Sequence, residues 1–206
     1  MNRTLIKVCG VTRLEDALML EREGVDAIGF NFVPASPRYV TSDVALRICG
    51  RLSATTVTVA VVANRSETDV RALLDETGIQ WVQFHGAEPP HLVTQFLPHA
   101  YKAIAIRAAD DVAAADLYPG EHILVDAKVD GLLGGTGQSF DWQLVNALAC
   151  RRKLTLAGGL TPTNVARAIE TVRPYCVDVA SGVESSPGVK DEQLVRAFVK
   201  AARSSS

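Results

Sequence analysis

Short apolar runs alternate along this chain with longer stretches of helical spacing. The runs are Leu5–Val8, Val25–Phe32, Thr56–Ala63, Ile79–His85, Tyr101–Arg107, His122–Asp126, Lys153–Ala157 and Cys176–Ala180. Each is too short for a typical helix and rich in aliphatic or β-branched residues, as a buried strand should be. The Thr56–Ala63 run, TTVTVAVVA from Thr55, is nearly continuous, which suits a strand covered on both faces. Between the runs, apolar positions recur at helical intervals. Thr12 is placed to cap a first helix that ends at Gly24. Ser42 can cap Asp43–Leu52, and Ser66 can cap Glu67–Thr77 before Gly78. Further helices are predicted over about Glu88–Phe96, Asp110–Leu117, Asp141–Cys150, Thr161 to Arg173 with Pro162 in the first turn, and Asp191–Arg203.

Eight strand–helix units with short returns imply a parallel sheet with helices outside it. The fold class expected is α/β, a single-domain (β/α)8 TIM barrel over residues 1–206, short for that architecture. The runner-up, a doubly wound open sheet, should carry GxGxxG after its first strand; the turn here reads CGVTR. The tail Ala201–Ser206, ending in three serines, is expected to fray.

Composition narrows the function classes. The chain is 48% hydrophobic and 21% charged with a net charge of −2. Neither nucleic acid nor an anionic membrane is favoured as a partner by that charge, so any bound anion needs a local site. The longest apolar runs fall far below the ~20 residues of a membrane span, and the N-terminus lacks the apolar core of a signal peptide. Cys9, Cys49, Cys150 and Cys176 are scattered without a CxxC pair, which argues against a zinc site and a disulfide framework. Reduced thiols and a cytoplasmic location are expected.

In a barrel, chemistry belongs at the C-terminal strand ends and the loops beyond them. Those positions hold Cys9, Arg38, His85, Arg107, Asp126 and Asp178. Asp126 closes the apolar run HILVD, where desolvation would favour the protonated acid; capping of the next loop is the equally weighted alternative. Asp178 alternates with Val177 and Val179, so it shares a face with Cys176 and needs a partner there, whether a salt bridge or a ligand. Arg38 in SPRYV could fork onto a carboxylate or be a solvated loop residue. A structural role suits His85 as well as an acid–base one. Cys9 alone is most simply a small buried hydrophobe. Two segments resemble anion cradles: AGGLTPTNV, with Gly158 and Gly159 before a helix start, and SGVESSPG, with Ser181, Gly182 and Gly188. They follow the seventh and eighth strands, where such barrels hold phosphate. A third glycine cluster, Gly134–Gly137, suggests a flap.

Taken together, KVCGVT at Lys7–Thr12, SPRYV at Ser36–Val40, VQFHG at Val82–Gly86, LVDAK and GGTGQSFDW within Leu124–Trp142, AGGLTPTNV, and DVASGVE at Asp178–Glu184 resemble the phosphoribosylanthranilate isomerases of tryptophan biosynthesis. The similarity spans nearly the whole chain in order. It implies an Amadori rearrangement of N-(5-phosphoribosyl)anthranilate, with no metal or organic cofactor, on a small phosphorylated substrate, by a monomer or homodimer. It further implies that Asp126 is the general acid on the ring oxygen and Cys9 the general base at C2. Arg38 would hold the anthranilate carboxylate, Asp178 would lie near the anthranilate nitrogen, and Gly159, Ser181 and Gly182 would bind phosphate. Lys7, on the same strand face as Cys9, is a candidate for stabilising its thiolate. Two alternatives remain open: a barrel that binds a phosphorylated ligand without catalysis, and the related histidine-pathway isomerase, which resembles this pattern but has an aspartate where Cys9 stands. A Schiff-base enzyme is disfavoured, since Lys102 and Lys128 are poorly placed.

Overall fold

A computed structural model describes residues 3–106, 109–126 and 145–205. The expected flap at Gly134–Gly137, Arg107, Lys128 and the start of the predicted 141–150 helix lie outside the described residues. Eight parallel strands close into a barrel in chain order: β1 Leu5–Cys9, β2 Ala27–Asn31, β3 Val57–Val62, β4 Trp81–Phe84, β5 Ala100–Ala105, β6 His122–Asp126, β7 Lys153–Ala157 and β8 Cys176–Val179. The pairing of β1 with β8, Lys7 opposite Asp178, closes the ring and excludes the open sheet. Around it lie α1 Leu14–Arg22, α2 Ser42–Cys49, α3 Glu67–Thr77, α4 Pro90–Thr94, α5 Asn146–Ala149, α6 Val165–Val172 and α7 Glu192–Arg203. A 3₁₀ helix over Ala109–Leu117 takes the place of the predicted Ala-rich α-helix. A short hairpin, β9 Glu184–Ser186 with β10 Val189–Lys190, precedes α7.

Strand alternation divides the buried residues into two sets. Ile6, Val8, Ile28, Phe30, Ile123, Val125, Leu154, Leu156, Val177 and Val179 face the helices and form the main core. Val59, Tyr101, Ala103, Leu124 and Ala157 form a smaller cluster on the alternate, lumenal positions. The same parity carries Lys7, Cys9, Gln83, Asp126 and Asp178, so the lumen becomes polar toward its C-terminal rim. The opposite end is closed by aromatic rings: Trp81 meets His99 at 5.2 Å and His122 at 4.8 Å, and His122 meets Tyr175 at 5.4 Å.

Several caps differ from expectation. Ser66 and Gly78 bound α3 as predicted, the first accepting from the Asp69 N–H and the second at φ +68°. Thr12 does not cap α1; its hydroxyl donates to the Gly188 carbonyl at 2.7 Å, and Arg13 takes the cap position without a side-chain bond. Thr41, one residue before Ser42, caps α2. α6 begins only at Val165, because Asn164 folds back to accept from the Thr161 N–H and donate to the Gly159 carbonyl. At the C-terminus α7 continues to Arg203, the last residue of the predicted helix. There the Arg203 guanidinium donates to Thr4 O at 2.6 Å, Gly24 O at 3.0 Å and Asp26 Oδ2 at 2.7 Å, tying the two chain ends together. No helix among the described residues is long and apolar enough to cross a membrane.

Candidate active site

A cavity of about 530 Å³ opens at the C-terminal rim. Cys9, Arg38, Asp126, Gly159, Asp178, Ser181 and Gly182 all line it, joined by His85, Gln83 and Asn31. The seven residues expected at a site therefore converge, although they come from five separate strand ends or loops.

At its floor, Lys7 Nζ donates to Asp178 Oδ2 at 2.8 Å and to Gln83 Oε1 at 3.1 Å. The Lys7 and Asp178 side chains are 3% and 7% exposed. Burial, the largest single influence, lowers the Lys7 pKa, but the charge and hydrogen bond of Asp178 together with Cys9 and Tyr101 outweigh it and hold the ammonium well above its usual range. Gln83 also accepts from the Tyr101 hydroxyl and meets His85 Nδ1 at 2.9 Å. One polar atom of this network stands apart: Asp178 Oδ1 is buried and has no hydrogen-bond partner among the described residues. An unsatisfied buried acceptor costs about 1–3 kcal/mol and calls for a ligand donor or a catalytic explanation.

Cys9 sits at the end of β1, one layer above Lys7 and opposite Gly29 of β2. A Cβ at residue 29 would lie 2.8 Å from Cys9 Sγ and 3.2 Å from Lys7 Nζ, so glycine makes room for both. Burial raises the Cys9 pKa; Lys7 and Lys190 pull it down, Asp178 pushes it up, and burial prevails. Lys7 is the strongest influence favouring the thiolate, and Asp178 offsets part of it, but burial of the thiol exceeds both. His85 is lowered by burial, which favours the neutral imidazole. Asp126 ends β6 on the lumenal side and lines the same cavity.

The two glycine loops meet beside this floor. A Cβ at Gly182 would collide with the Leu160 carbonyl, so the loop after β8 can approach the loop after β7 only without a side chain. Among the described residues, nothing accepts from the backbone N–H of Gly159, Ser181 or Gly182. The Gly159 donor is a loop amide, since the α6 N-terminus lies several residues further on, whereas Ser181 and Gly182 open a short 3₁₀ turn, Ser181–Val183. Arg38 reaches the rim from the loop after β2, but Glu184 already occupies one edge of its fork, with Nη2 to Oε2 at 2.6 Å and Nε to Oε1 at 2.9 Å. Gln83, Gly29 and Glu184 escaped sequence reasoning. Strand parity could have indicated the first two, whereas nothing local marks the third.

A family profile described as N-(5'-phosphoribosyl)anthranilate (PRA) isomerase matches residues 6–201. The chain belongs to this family. It is 44% identical over 205 residues to the N-(5'-phosphoribosyl)anthranilate isomerase of Pseudomonas fluorescens strain Pf0-1, covering 98% of this chain and 100% of that one. A crystal structure of phosphoribosyl anthranilate isomerase from Thermotoga maritima superposes with a TM-score of 0.88 at 37% identity, covering 98% and 99% of the two chains. A second solved isomerase, in complex with reduced 1-(o-carboxyphenylamino)-1-deoxyribulose 5-phosphate, gives 0.86 at 35% identity with the same coverage. Family membership makes this chain an isomerase of tryptophan biosynthesis on a TIM barrel.

Proposed function

We propose that the cavity performs the family's Amadori rearrangement with Asp126 as acid and Cys9 as base. The substrate is N-(5-phosphoribosyl)anthranilate and the product 1-(2-carboxyphenylamino)-1-deoxyribulose 5-phosphate. Asp126 donates its proton to the furanose ring oxygen as the C1–O bond breaks and the anthranilate nitrogen forms C1=N. The Cys9 thiolate then takes the proton from C2, and that electron pair forms the C1=C2 bond of an enolamine. Loss of the C2 hydroxyl proton and protonation at C1 complete the ketone. Nothing is oxidised overall, and no metal or organic cofactor enters the scheme.

Burial keeps resting Cys9 as a thiol, so the base works through a small thiolate population. A thiol of raised pKa also yields a stronger base, which offsets part of that cost. Asp178 Oδ1 accepts the anthranilate N–H, Arg38 receives the carboxylate, and the amides of Gly159, Ser181 and Gly182 hold phosphate. The observation that carries this division of labour is the open Asp178 acceptor, buried in a cavity that Cys9 and Asp126 also line. A monomer or homodimer in the cytoplasm suits these roles.

The test is loss of anthranilate fluorescence when purified protein is mixed with substrate, beside the histidine-pathway phosphoribosyl substrate as a second assay. Turnover of the first alone is expected. Tight binding of the reduced product analogue without turnover would instead favour a non-catalytic barrel.

A further inference from the structure

The edge of Arg38 that Glu184 occupies belongs to a second buried charge cluster. Glu184 on β9 accepts from Arg38 Nε at 2.9 Å and 3.1 Å, from Arg38 Nη2 at 2.6 Å, and from the Gly188 N–H at 3.3 Å. Lys190 on β10 donates to Glu184 Oε1 at 2.7 Å, to the Cys9 carbonyl at 2.7 Å and to the Ala180 carbonyl at 3.4 Å. The Glu184 and Lys190 side chains are 4% and 0% exposed. Gly10, at φ +73°, completes the clamp: a Cβ there would strike Arg38 Cδ, so the arginine stem lies directly across the strand end that carries Cys9.

We propose that Glu184 is a positioning residue that aims the free edge of the Arg38 guanidinium at the substrate carboxylate. The proposal rests on the reading of Arg38 as the carboxylate site. A guanidinium has five N–H groups, and Glu184 takes the edge made by Nε and one Nη2 hydrogen. The opposite edge, the second Nη2 hydrogen with Nη1, has no partner among the described residues and forms a parallel fork of carboxylate width. Fixing one edge removes the rotamer freedom that a long arginine would otherwise lose on binding. The charge balance agrees. Two cations share one carboxylate, so the cluster carries one net positive charge for an incoming anion to complement. Burial opposes ionisation of Glu184, yet hydrogen bonds from Arg38 and Lys190 hold it below the usual carboxylate range.

The readout is discrimination for the carboxylate, which a merely structural role would leave alone. Affinities are measured for reduced 1-(o-carboxyphenylamino)-1-deoxyribulose 5-phosphate and for the same compound without the carboxylate, on wild type, Arg38→Met, Glu184→Gln and Glu184→Asp. Wild type should prefer the carboxylate form at least tenfold. Glu184→Gln should lose most of that preference, while binding the other compound within about twofold of wild type. If Glu184→Gln does not unfold cooperatively, Glu184→Asp replaces it: charge is kept, Lys190 stays paired, and the shorter arm should still forfeit the preference. Wild-type preference in the folded Glu184 variant overturns the proposal. If Arg38→Met loses the preference while the Glu184 variant keeps it, only the positioning role fails. If Arg38→Met itself keeps it, the carboxylate reading of Arg38 fails as well.

Discussion

Two buried lysine–carboxylate pairs lie on opposite sides of the barrel wall and are treated differently by the fold. Lys102 and Glu88, 3.5 Å apart, face the helix layer. Every strong donor and acceptor there is used: Lys102 donates to the carbonyls of Phe84, Gly86 and Ala103, while Glu88 accepts from the Asn64 and Gly86 N–H groups. Lys7 and Asp178, 2.8 Å apart, face the lumen, and one Asp178 oxygen is left open. Burial lowers the Lys102 pKa despite Glu88, whereas the lumenal lysine is raised. A saturated pair fixes loops; here it ties the loop after β3 to the loop after β4. An unsaturated pair carries a standing cost that a ligand can relieve. The open acceptor, not burial, distinguishes the pair proposed to meet substrate, since all four side chains are nearly inaccessible.

The contrast can be broken by substitution. The largest effects belong to the proposed acid and base. Asp126→Asn and Cys9→Ala should each lower kcat by about 10²–10⁴-fold, the range of one general acid or base, with the circular dichroism unchanged. Wild-type-like turnover in either variant removes that residue from the mechanism. Glu88→Gln should act on stability instead. It leaves the Lys102 charge uncompensated and should cost roughly 3–5 kcal/mol, with kcat nearly unchanged below the transition. In a chain of this size that lowers Tm by roughly 6–20 °C, and calorimetry beside the fluorescence assay would show it. An equal loss of kcat would mean that the two pairs are not functionally distinct.

Smaller effects sharpen the account. Peptide-resolved alkylation of Cys9 by iodoacetamide should rise with pH through a midpoint above the ordinary thiol value of about 8.5. The sign follows from burial: the neutral thiol is favoured, so the reactive thiolate appears only as pH climbs past the raised pKa. A midpoint below that value would mean that Lys7 and Lys190 outweigh burial. Smallest of all, Arg203→Ala should cost about 1–2 kcal/mol through its lost bonds to Thr4, Gly24 and Asp26, half-screened by solvent, and leave kcat unchanged. No shift of the melting transition would show that α7 ends earlier in solution.

What the sequence disclosed follows from the range of each interaction. β6 and β7 match their apolar runs residue for residue, and Ser66 caps α3 as expected, because run length and capping are set within a few residues. Thr12 looked like an equally good cap, yet it bonds to Gly188, 176 positions away, and no local rule competes with that. The candidate residues were legible because barrel topology alone gathers strand ends on one rim. Their couplings were not. Lys7 meets Asp178 across 171 positions and Arg38 meets Glu184 across 146, so each looked free in sequence. The strand pattern places Lys7 beside Cys9, and only the closed β1–β8 register reveals the Asp178 carboxylate that it also pairs with.

The open oxygen of Asp178 is best tested by calorimetric titration with reduced 1-(o-carboxyphenylamino)-1-deoxyribulose 5-phosphate on wild type, Asp178→Asn and Glu88→Gln. In Asp178→Asn the Lys7 ammonium selects the amide oxygen, which turns an NH₂ group toward the ligand N–H. Binding to that variant should weaken at least tenfold while Glu88→Gln binds as wild type does. Unchanged affinity in Asp178→Asn, or an equal loss in both variants, would contradict the claim that the lumenal pair is left open for substrate.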